Sequence, residues 1–201
     1  MVSYGRGNVI PFSFDLSVLV RRSVATLYSN LVTRPTGRAL RLGIESQIGE
    51  LGSCCLSVLD FTQVVVLDYS CADEAVAKLV LRYLHADRPA DVYFVARGLG
   101  EQHRDPIDEV LRRHGLGLVA EIGDAGYTLL GHVSVAEKRA WAALELAGSG
   151  TTAEIADRLA SATSIVATAL DQLVERRLAL HGGDAAAPQT YIALTSLLPT
   201  R

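Results

Sequence analysis

The sequence predicts an α/β protein: a mixed, mostly parallel sheet packed with helices, followed by a smaller module of three helices and a hairpin. Three observations predict it. Short apolar runs at residues 56–59, 64–67, 91–96 and 118–122 alternate with stretches of helical period, the signature of strand–helix–strand units. At Gly131 this texture gives way to helices punctuated by glycine. The chain has 201 residues, 49% of them hydrophobic, which suffices for one full domain and a small one; the boundary falls between residues 1–131 and 132–201.

The N-terminal dozen residues, with Gly5, Gly7 and Pro11, predict little regular structure beyond a short edge strand over 9–14. From Asp15 the positions Leu16, Leu19, Val20, Val24, Leu27, Tyr28 and Leu31 predict a helix. Pro35 pushes Arg34 away from helical backbone, so the helix breaks at 33–37 and a second starts near Arg38, carrying Leu42, Ile44, Ile48 and Leu51.

The central stretch then sets the pattern. One strand ends on Asp60 and a second on Asp68. Ala72, Val76, Leu79, Val80 and Tyr83 mark a helix, with Asp68 or Ser70 as its N-cap and the acids Asp73 and Glu74 in its favourable first turn. Residues 85–90 are a loop, 91–96 a buried strand, and Gly98 and Gly100 a turn. Asp105 and Pro106 suit the cap and first position of a helix over 106–114. Strands over 118–122 and 127–130 follow.

In the second part, residues 134–146 form a helix around Trp141 and Leu144, broken at Gly148 and Gly150. Thr151 and Glu154 make a capping box for a helix through Leu159. After a turn at 161–164, the next helix buries Val166, Leu170, Leu173 and Val174. Residues 178–180 and 191–194 read as a hairpin around Gly182 and Gly183.

The central stretch resembles the STAS domain, the fold of bacterial anti-sigma-factor antagonists. Asp60-Phe61-Thr62 and Asp68-Tyr69-Ser70-Cys71 carry the resemblance, clearest over residues 54–85 and extending to 122. It implies that Ser70 is a phosphorylation or partner switch, and that Asp68, Tyr69, Cys71 and Asp73 contact a regulatory protein, a kinase or anti-sigma-like partner. Tyr69 and Cys71 depart from the family pattern, as does a start with two helices. The second part resembles a winged helix-turn-helix of bacterial regulators, through Thr152-Ala-Glu-Ile-Ala-Asp-Arg-Leu159 and the helix through Leu178. On that resemblance Ser161, Thr163, Ser164, Thr168, Gln172 and Arg176 face double-stranded DNA.

Charge limits the DNA reading. Net charge is −3, and residues 132–201 carry 6 cations against 7 acids, so phosphate contacts are few and a homodimer is expected to supply the rest. The most basic patch is Arg34, Arg38 and Arg41, which can hold an anion at a helix start or simply pair with Glu45 and other neighbours.

Asp60, Asp68, Asp73 and Glu74 are more often caps than metal ligands, and no histidine stands beside them in sequence. No metal or other cofactor is expected. Cys54, Cys55 and Cys71 fall short of an iron–sulfur set unless the fold gathers them for redox sensing. No catalytic constellation stands out, so the expectation is binding rather than catalysis. Lacking a basic segment before a long apolar core, and any membrane-length apolar run, the chain reads as cytoplasmic. The alternatives are a protein-binding adaptor in a partner-switching pathway that ignores DNA, and a small-ligand or redox sensor.

Overall fold

Five strands form one mixed sheet in the order in which the chain makes them. They are β1 (Arg21–Thr26), β3 (Cys54–Asp60), β5 (Asp91–Leu99), β6 (Gly117–Ile122) and β7 (Tyr127–Gly131). The first four are parallel, and β7 returns antiparallel along β6. The structure is a computed structural model and describes residues 21–27, 29–51, 54–182 and 189–199. The class is α/β.

Parallel neighbours need crossover connections, and here each crossover contains a helix. They are α1 (Arg34–Leu51), then α2 (Tyr69–Ala72) running through a π-turn (Asp73–Ala77) into α3 (Lys78–Leu84), and α4 (Glu101–Arg113). A two-stranded parallel ribbon, β2 (Asn30–Leu31) with β4 (Val66–Leu67), lies before α1 and α2. Because the strands advance in one direction with crossovers of one hand, the helices gather on one face of the sheet. Ile44, Ile48, Val76, Leu79, Ile107 and Leu111 meet Leu59, Phe94, Ala96 and Leu118 there in a single core.

The other face is covered by the C-terminal module. It comprises α5 (Val135–Ala147), β8 (Ser149–Thr151), α6 (Thr152–Leu159), α7 (Thr163–Glu175), β9 (Ala179–Gly182) and β10 (Thr190–Ala193). The three short strands pair antiparallel in the order β8-β10-β9. Ser134 with Glu137 and Thr151 with Glu154 form capping boxes at the starts of α5 and α6. The module's core of Trp141, Leu144, Ile155, Leu170 and Leu173 continues into Leu56, Val95, Val119 and Leu129 of the sheet.

Several sequence expectations need correction. Residues 21–26 are a strand, not the end of a helix; parallel pairing along β3 outweighs the helical spacing of Val24 and Leu27. Helix α1 begins at Arg34, with Pro35 in its first turn, where a missing N–H costs nothing. Helix α4 begins at Glu101, so Pro106 lies inside it; the Gly100 N–H donates to His103 Nδ1 (3.1 Å) and sets the true start. The expected edge strand over 9–14, positions 15–20 and Tyr28 of the first expected helix, and Gly183 of the hairpin loop lie outside the described residues.

Candidate functional site

The start of α2 is built around Asp68. Its Oδ1 accepts from the Cys71 N–H (2.7 Å) and from the Ser70 hydroxyl (3.0 Å), which makes Asp68 the N-cap and places Ser70 one residue inside the helix, half-buried. Around this start the surface is unusually apolar. Tyr69 is 49% exposed, Val65 64%, Val66 46% and Val32 45%. Val32 follows β2 and Val66 opens β4, and the pairing of those strands brings the four residues to one edge of the molecule. Lone exposed apolar residues are ordinary, whereas these four gather in one apolar patch. Tyr69 was anticipated from sequence; the three valines were not, because nothing local separates them from buried strand residues.

Two of the expected partner residues are not available there. Cys71 is fully buried, facing the core between α1 and the sheet, and burial pushes its thiol up to about 11. Asp73 is engaged by His114 Nε2 (2.7 Å), Arg34 Nη1 (3.0 Å) and Lys78 Nζ (3.6 Å). It belongs to an ion network whose hub is Glu74, buried and contacted by Lys78 Nζ (2.5 Å), Arg34 Nη1 (2.9 Å) and Arg41 Nη2 (3.7 Å). The Lys78 hydrogen bond is the largest of the effects that hold the Glu74 carboxyl below its ordinary range, and it outweighs burial.

The network takes up two of the three arginines expected at an anion site, in line with the alternative that they pair with Glu45 and other neighbours. Arg34 and Arg41 are neutralised by Asp73, Glu74 and Glu45, while Arg38 is exposed and makes no ion pair among the described residues. The acids of the stretch are also parted: Asp60 bonds Arg97, away from the Glu74 hub. The cysteines do not gather either. Cys54 and Cys55 open β3 and Cys71 lies beyond its far end, a separation of roughly 20 Å along seven residues of strand. Among the described residues no group of three or more potential metal ligands comes together.

In the module, α7 presents Thr163, Ser164, Thr168 and Gln172 on its exposed side, with Ser161 half-buried just before it. Thr168 Oγ1 donates back to the Ser164 carbonyl (3.0 Å), so this hydroxyl's proton is already committed. Asp171, on the same helix, accepts from the Tyr191 hydroxyl (2.6 Å) and ties α7 to the hairpin; burial, with that bond second, pushes the Tyr191 phenol up to about 12.

Arg176 does not belong to this face. Its Nη1 donates to the buried Glu137 (3.0 Å), and Nη2 donates to the carbonyls of Gly115 (3.1 Å) and His132. Arg177, in a left-handed backbone conformation at φ 59°, donates to Asp91 (2.5 Å) and the Val92 carbonyl (3.2 Å), with its guanidinium 4.8 Å from the Tyr93 ring centroid. Arg177 therefore clasps the end of α7 to β5, and Arg176 ties it to α5 and to the turn before β6. A sequence shows their charge but not which way it turns.

Comparison with known proteins adds no relative: no family model, curated protein or solved structure matches the chain. No helix among the described residues is long and apolar enough to cross a membrane.

Proposed function

We propose that the protein is a non-enzymatic bacterial-type regulator of the cytoplasm. Its STAS-like part, residues 1–131, receives a protein partner at the Ser70 edge. Its winged-helix part, residues 132–201, presents α7 to duplex DNA. The observation that carries this reading is that α7 is fixed at one end and open along its length. Arg177 joins its end to β5 and Arg176 to the Gly115 carbonyl before β6, while Thr163, Ser164, Thr168 and Gln172 remain on an exposed side that also carries Asp171 and Glu175. Short hydroxyl and amide side chains of this kind read base edges and contact phosphates. A partner docked on the Val32, Val65, Val66 and Tyr69 edge sits on the β2–β4 ribbon of the same α/β half to which Arg177 ties α7. Phosphate added at Ser70 would stand against the Asp68 carboxylate 3.0 Å away and expel such a partner.

A salt titration of binding to duplex DNA tests the reading, with the full chain and a Thr168→Glu/Gln172→Glu variant. The exposed cations described in the module are Lys138, Arg139 and Arg158, so a dimer offers six and the log–log slope is expected near about −5. The variant is expected to lose affinity at every salt concentration. No binding by the folded protein at about 50 mM salt sinks the DNA reading.

One observation favours the adaptor instead: two of the module's arginines donate to the α/β half, Arg176 to the Gly115 carbonyl and Arg177 to Asp91. In that case a partner is bound at the Ser70 edge and duplex is not bound at all.

A further inference from the structure

The sheet face beneath the module is apolar along most of its length and polar at one end. Leu56, Val95, Val119 and Leu129 form the apolar part. Farther along the same face stand Asp60, Arg97, Glu121 and Tyr127, with Asp60 registered against Arg97 and Glu121 against Tyr127. This end is the carboxyl end of the parallel strands. Opposite the row, Thr195, Ser196, Leu198 and Pro199 complete a cleft of about 340 Å³ between sheet and module, within the range of small-molecule sites.

Asp60 and Glu121 are 8% and 9% exposed. Charges set under a covering layer are costly unless they are paired or used, and an apolar row would have closed this seam outright. Arg97 Nη2 donates to Asp60 Oδ2 (2.6 Å), and Thr62 donates to Asp60 Oδ1 through its N–H (3.0 Å) and hydroxyl (2.7 Å). The Glu121 carboxylate accepts from the Gly98 N–H (3.0 Å). Arg97 donates to Asp60 through one of the five N–H groups of its guanidinium, and its side chain also lines the cleft.

We propose that this cleft binds an uncharged polyol of monosaccharide size, the signal that the α/β half passes to the module; only the word signal rests on the function proposed above. The row of Asp60, Arg97 and Glu121 sums to one negative charge, which disfavours carboxylates and phosphates, and Arg97 disfavours ammonium compounds. A hydroxyl both accepts from a guanidinium and donates to a carboxylate, so neighbouring hydroxyls on one ring match neighbouring Arg97 and Glu121. The Tyr127 ring, Leu198 and Pro199 supply apolar surface for the C–H face of such a ring.

Calorimetric titration of the full chain with D-glucose, D-galactose, D-ribose and myo-inositol, and separately with acetate and inorganic phosphate, tests the proposal. At least one polyol is expected to bind with a Kd of about 1 mM or tighter. That affinity is expected to fall at least about tenfold in Arg97→Lys and in Ser196→Trp, which fills the cleft from an exposed position and leaves the fold intact. Three results overturn it: no polyol binds up to about 20 mM, binding is unchanged in Ser196→Trp, or acetate or phosphate binds in preference. The heat is read without DNA, so failure here and failure to bind duplex are separate outcomes.

Discussion

The two faces of the central sheet are closed in different ways. On the helical face, α1, the helix from Tyr69 and α4 bury a broad apolar surface, and the network around Glu74 locks α1 to the π-turn. On the module face the apolar contact is narrower, gives way to the Asp60–Tyr127 row, and is fastened by Arg176 at the Gly115 carbonyl and Arg177 at Asp91 and Val92. The first face is a core with a buried ionic lock. The second is a lid with a clasp, the kind of junction whose strength a ligand or partner can change.

The sharpest way to break this contrast is at the lock. Glu74→Ala leaves Arg34 and Lys78 with Asp73 alone and Arg41 with Glu45 alone, and about 3 kcal/mol of stability is expected to be lost in urea unfolding. Acid probes the same element without mutation. The Glu74 carboxyl titrates below its unfolded value of 4.5, so its contribution is complete above that pH and is lost as pH falls through the lower folded value. In Glu74→Ala that part of the acid-induced loss is expected to be absent.

The clasp should give a smaller and different effect. Arg176→Ala/Arg177→Ala removes the bonds to Glu137, Asp91 and three backbone carbonyls, at an expected cost of about 2–3 kcal/mol. Calorimetry is expected to resolve two transitions in the variant where the native chain shows one. A single unshifted transition would mean that apolar contact alone holds the faces together. Smaller still is Gly117→Ala: its Cβ would approach Leu178 Cδ1 at 2.9 Å and Val133 Cγ2 at 3.1 Å, both side-chain ends able to shift, so about 1 kcal/mol is expected. The smallest effect lies within the module. Ala160 ends α6 at φ 46°, and Ala160→Gly should stabilise by up to about 1 kcal/mol, read as a rise in Tm.

How far these features were legible follows the range of the forces behind them. Strand β3, the cap at Asp68, the Thr151–Glu154 capping box and the helix over Val135–Ala147 rest on neighbours in sequence, and their residues announce them. Strand β1 could not be read that way, because Val24 and Leu27 fit a helical period until β3 offers a parallel partner. Helix α4 was misplaced because Pro106 looks like a first position; the Gly100–His103 bond that starts the helix is invisible to composition. At the candidate sites, Ser70 and the hydroxyls of α7 were legible as residue types in suitable places. The inward turn of Arg176, the burial of Cys71 and the neutralisation of Arg34 and Arg41 depend on elements about 40 or more residues away in most cases.

The order of the strands also bears on how the chain is made. Each strand of the sheet after β1 joins a neighbour already formed, so the α/β half can assemble stepwise during synthesis, with low loop-closure cost at every step. The covering module emerges last. Until it does, Leu56, Val95, Val119 and Leu129 face water as a ready surface for aggregation. The half that looks self-sufficient in sequence is therefore a poor candidate for expression alone, and grafting either half onto another protein would carry an unsatisfied face with it.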